Sequence, residues 1–128
     1  MDPDPSFDLA AAGLRGDGAE LAGSVAVLAA KLEEALPGQA RVERRGGGLL
    51  GRGSKQVRSV EVELGDCSYR LQFSAGRLEG TRVLQSGGIA IKRETLGPEA
   101  WVAALTDDLR EQARRSAEAR AALERLLG

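Results

Sequence analysis

A chain of 128 residues, 42% apolar and 29% charged, is long enough to build one core without a disulfide or metal staple, and its composition excludes global disorder. With no histidine and a single cysteine, it lacks histidine-dependent catalytic triads, Cys/His zinc sites and internal disulfides. The net charge is −1 but segregated: residues 1–40 carry seven acids against two bases, and residues 41–58 carry six bases against Glu43 alone.

The lone cysteine and an acidic start without a basic, apolar signal point to a reducing, cytoplasmic setting. No stretch approaches the roughly 20 apolar residues that span a bilayer. Phe7, Tyr69, Phe73 and Trp101 are the only aromatics, so Leu, Val and Ala must supply most of the core.

Residues 1–16 mix Asp, Pro and Gly with few apolar anchors and are expected to form a flexible acidic arm, with one short helical turn after Pro5. A helix follows over 17–36. Leu21, Val25, Leu28, Leu32 and Leu36 make one apolar stripe at helical spacing, Asp17 is placed to cap it, and Pro37-Gly38 ends it.

Strands come next. Ala40 and Val42 alternate with charged neighbours, and the glycine-rich segment 46–53 makes a mobile connection. Val60, Val62 and Leu64 alternate against Glu61 and Glu63. Gly65-Asp66 suits a two-residue hairpin turn before Cys67, Tyr69, Leu71 and Phe73. Ala75-Gly76 and Gly87-Gly88 turn the chain into strands over 77–85 and 89–93. Gly97-Pro98-Glu99 then opens a helix that reaches Leu127, about 30 residues without internal Gly or Pro. The pattern predicts an α+β fold: residues 17–128 form one domain of an N-terminal helix, an antiparallel meander of about five strands and a long C-terminal helix, with the helices on one sheet face.

The turns fix which residues oppose one another. Val62 faces Tyr69, Glu61 faces Arg70, Tyr69 faces Arg82, and Arg82 faces Arg93. A row Tyr69–Arg82–Arg93 on the apolar face needs an acid or an anion beside it, unless the arginines reach water at the rim or a bulge shifts the register. It is the one arrangement that would let an enzyme act on an anionic ligand. The carboxylate pairs Glu33-Glu34, Glu61/Glu63 and Asp107-Asp108 fall on solvated faces. Cys67, on the apolar face of its strand, reads as a buried, inert thiol.

Gly46, Gly48 and Gly51 spell a literal G-x-G-x-x-G, but a strand follows rather than the helix a pyrophosphate requires. Ser54 precedes Lys55, the reverse of a phosphate loop. The segment reads instead as a basic hairpin, with Arg44, Arg45, Arg52, Lys55 and Arg58 as candidate contacts to nucleic acid, another polyanion or an acidic protein. At 1.5 Å per residue the C-terminal helix spans roughly 45 Å, against about 17–20 Å for a strand. Its last leucines, Leu123, Leu126 and Leu127, must therefore fold back after a bend near Ser116 or pack on another chain; with no Gly or Pro to make the bend, another chain is expected. The expected function is a non-enzymatic interaction or adaptor module that associates through this helix, with a protein partner or self-association. The alternative is a nucleic-acid-binding accessory protein working through residues 41–58. No catalytic, cofactor or metal residues are expected.

Overall fold

The computed structural model describes residues 6–14, 18–47, 53–74 and 77–128. Two helices, α1 (Ser6–Gly13) and α2 (Gly18–Ala35), precede strands β1 (Ala40–Gly47), β2 (Gly53–Leu64), β3 (Cys67–Ser74), β4 (Arg77–Ser86) and β5 (Ile89–Leu96). Helices α3 (Pro98–Ala113) and α4 (Ala117–Leu127) complete the chain. The strands form one antiparallel meander in sequence order. Helix α2 packs on β1 and β2, and α3 on β3, β4 and β5. The fold is α+β with helices on the sheet, as the alternation predicts.

The core follows the periodicities. Val25, Leu28, Leu32 and Leu36 of the α2 stripe are fully buried, opposite Val60, Val62 and Leu64 of β2 and Tyr69 and Leu71 of β3. Trp101, Leu105 and Leu109 of α3 lie at helical spacing on the same side, also fully buried. Gly80 makes room for this helix: a Cβ there would lie 2.8 Å from both the Trp101 ring and the Leu96 carbonyl oxygen. At Gly38, φ of +88° ends α2 and starts β1, a conformation that glycine adopts without strain.

Three expectations are corrected. Residues 6–14 do not form an arm. They form α1 and its last turn, with Phe7, Ala10 and Leu14 buried at spacings of three and four. Gly13 brings α1 against α2, because a Cβ would sit 1.8 Å from the Ser24 hydroxyl. The acidic residues around this short stripe obscure it in the sequence.

The C-terminal helix is not continuous. Arg114 and Arg115 form a turn, and Ser116 is extended (φ −140°, ψ 130°), its hydroxyl accepting from the Ala119 amide at 3.2 Å. A serine that caps a new helix breaks the old one without Gly or Pro. Arg120 donates to the Ala113 carbonyl at 3.4 Å, and Arg125 to the Ala35 carbonyl at 3.0 Å, so arginines satisfy the C-terminal ends of α3 and α2.

The third hairpin carries a bulge. The first two registers match expectation, with Val62 opposite Tyr69, Glu61 opposite Arg70 and Tyr69 opposite Arg82. Beyond Gln85↔Ala90 the register shifts to Leu84↔Lys92, leaving Ile91 as the extra residue, and Arg82 faces Glu94 while Arg93 faces Val83. The shift replaces the expected arginine–arginine contact with an ion pair between half-buried side chains.

The centre of the glycine-rich connection, 48–52, lies outside the described residues, as do Asp17 and the turn at 75–76.

Candidate functional site

Two of the three residues of the expected anion row meet at the junction of sheet and α3. Tyr69 is fully buried and donates its hydroxyl to Asp108 Oδ2 at 2.7 Å. Arg82 Nε donates to the Tyr69 oxygen at 3.1 Å, Nη1 to Glu94 Oε1 at 2.9 Å, and Nη2 to Cys67 Sγ at 3.4 Å. The guanidinium carbon lies 5.8 Å from the centre of the Tyr69 ring, and the Tyr69 and Trp101 rings form a T-shaped pair with centres 6.2 Å apart. The Trp101 indole N–H is buried with no acceptor among the described residues.

These contacts fix the protonation states. Burial pushes the Tyr69 phenol well above its ordinary range, and the bond to Tyr69 raises the Arg82 guanidinium further. Burial also pushes the Cys67 thiol up, outweighing the nearby Arg82 charge. Phenol and thiol stay protonated at neutral pH, and the cation has a carboxylate beside it. The row is thus closed by protein groups, and Arg93 takes no part because its register places it beside Val83. Sequence reasoning missed Glu94 and set Asp108 on a solvated face, whereas it accepts from the buried Tyr69 hydroxyl. Asp108 was legible in principle: it lies three residues after Leu105 and seven after Trp101, along the edge of the buried α3 stripe.

The basic residues are arranged differently. Arg44 grips Glu33 of α2 with both terminal nitrogens, Nη1 to Oε2 at 3.0 Å. The bond holds the Glu33 carboxyl below its usual range and raises the arginine. This fork-to-fork pair ties the ribbon formed by β1 and β2 to the helix layer. Arg58 meets Glu43 across the ribbon at 3.7 Å, with both side chains about 60% exposed. Arg45 and Lys55 lie on the ribbon's backbone, while the placement of their side chains, and of Arg52, lies outside the described residues.

The C-terminal leucines find partners within the chain. Leu126 is fully buried, and Leu123 and Leu127 pack against the same core, which α4 reaches by folding onto α2. Among the described residues no cluster of His, Cys, Asp and Glu is placed to hold a metal, and no helix is long and apolar enough to cross a membrane. No family model, curated protein or solved structure matches the chain.

Proposed function

We propose that the chain is a nucleic-acid-binding accessory protein that works through its β1–β2 ribbon. The observation that carries this reading is the length of β2. Its last partner on β3 is opposite Ser59, yet it continues back to Gly53 beside β1, paired as Arg44↔Val57, Arg45↔Gln56 and Gly47↔Gly53. Residues 53–58 and their β1 partners form a two-stranded ribbon beyond the last β2–β3 pair, in the segment with six bases and one acid. A two-stranded ribbon fits the major groove, which is about 12 Å wide, and arginines on its strands reach phosphates on either side. The Arg44–Glu33 pair supports the reading as the root that orients the ribbon. The adaptor alternative has less support, because Leu126 is fully buried and Leu123 and Leu127 are partly buried against the chain's own core.

The test is fluorescence anisotropy with a labelled duplex across a salt series. Binding should weaken steeply with salt, and Arg45→Ala with Lys55→Ala should lower the slope of log K against log salt by about 2. No binding at low salt, or the same slope in the double variant, overturns the reading.

A further inference from the structure

Ser59 and Gln72 are the last pair joining β2 to β3. Beyond them the strands part, β2 turning through a bulge opposite Glu43 and Arg44 to stay with β1, while β3 continues to Ser74 beside β4. At the fork lies a cleft of about 270 Å³, open to solvent and lined by Arg58, Ser59, Arg70, Gln72, Phe73 and Ser74, with Glu43 as the one acid among them. Glu61, opposite Arg70, and Glu43, opposite Ser59, belong to the face turned away from the buried Val60, Val62, Tyr69 and Leu71.

We propose that this cleft binds a phosphate monoester bearing hydroxyl groups. Both arginines hold their carboxylates loosely: Arg58 lies 3.7 Å from Glu43 and Arg70 3.5 Å from Glu61, against about 2.7–2.9 Å for a close charge-assisted bond. Such exposed pairs contribute little, so an incoming oxyanion displaces them at small cost. Two planar guanidinium forks and the exposed Ser74 hydroxyl supply donors to a tetrahedral phosphate from several directions. Glu43 can only accept when ionised, which favours a ligand that offers hydroxyl donors beside its phosphate. The volume is slightly below the roughly 300 Å³ at which pockets for drug-sized ligands begin, which suits a phosphate with a single sugar. A free sugar phosphate and the phosphorylated end of a nucleic-acid strand both carry this chemistry.

The experiment is calorimetric titration of the full chain with ribose 5-phosphate, with ribose, and with one oligonucleotide carrying either a 5′-phosphate or a 5′-hydroxyl. It is repeated on Arg70→Gln, an exposed position outside the basic ribbon, with melting curves recorded for both proteins. The expected result is binding of a phosphomonoester, none of ribose, and a loss of about tenfold or more in Arg70→Gln at unchanged melting temperature. Tighter binding of ribose 5-phosphate identifies a free small molecule; a preference for the 5′-phosphorylated strand over its 5′-hydroxyl form identifies a strand end. Failure to bind either phosphomonoester overturns the proposal, and so does binding that Arg70→Gln leaves intact. Oligonucleotide binding indifferent to the 5′-phosphate and to Arg70, with no binding of ribose 5-phosphate, would overturn this proposal while leaving the ribbon reading standing.

Discussion

Tyr69 joins three parts of the molecule through one hydroxyl: Asp108 brings in α3, and Arg82 brings in β4 and, through Glu94, the edge strand β5. This hydroxyl has a measurable signature, because the chain has no other tyrosine. An unfolded phenol loses its proton near pH 10, whereas burial keeps the native one protonated well above that. Above about pH 10 the native state therefore holds a proton that the unfolded state has released, and stability should fall as pH rises further. Tyrosinate absorbance should be absent from the native protein near pH 10 and appear together with the loss of circular dichroism. Tyrosinate forming near pH 10 with the fold intact would contradict the burial of Tyr69. The Tyr69–Arg82 pairing was legible because the single turn expected at Ala75-Gly76 fixed the register. The partner of Arg82 was not, because turn lengths carry no information about a one-residue bulge inside a strand. Charge was the available clue: of Arg93 and its neighbour Glu94, only the acid can neutralise Arg82.

Among the elements, the break between α3 and α4 has the largest consequence. A continuous helix would carry Leu123, Leu126 and Leu127 beyond the sheet, whereas a turn at Arg114–Arg115 returns them to α2. The absence of Gly and Pro was a poor guide, because Ser116 with Glu118 in the following turn is itself a helix-start signal. Ser116→Ala removes the acceptor for the Ala119 amide and should cost about 1 kcal/mol. Leu126→Ala opens a cavity at a fully buried site and should cost about 2–5 kcal/mol. Both are read from denaturant midpoints, with light scattering alongside. If Leu126→Ala changed the oligomeric state and left the midpoint where it was, this leucine would be packing on another chain and not on α2.

At the scale of the whole molecule, the meander and the helix layer follow from patterns several residues long, and these were legible. Alternation placed Val60, Val62, Leu64, Tyr69 and Leu71 on one face, and the 3.6-residue period placed the α2 leucines against them. The N-terminal segment escaped the same reading because α1 has only eight residues, too few for a stripe to stand out among acids and glycines. A short isolated helix is marginal in water, so α1 depends on what it covers, which includes α2, α3 and α4. Two positions on this helix separate a packed element from an arm. Phe7 is 3% exposed and Leu9 is 67% exposed, although they lie two residues apart. Phe7→Ala should destabilise the protein by about 3–5 kcal/mol, as large-to-small changes in a core do. Leu9→Ala should stay within about 0.5 kcal/mol of the parent, as surface changes do. Chemical denaturation of the two variants decides the matter. An arm that detaches in solution would make both substitutions equally silent, whereas a helix sealed against α2 makes only the first one costly.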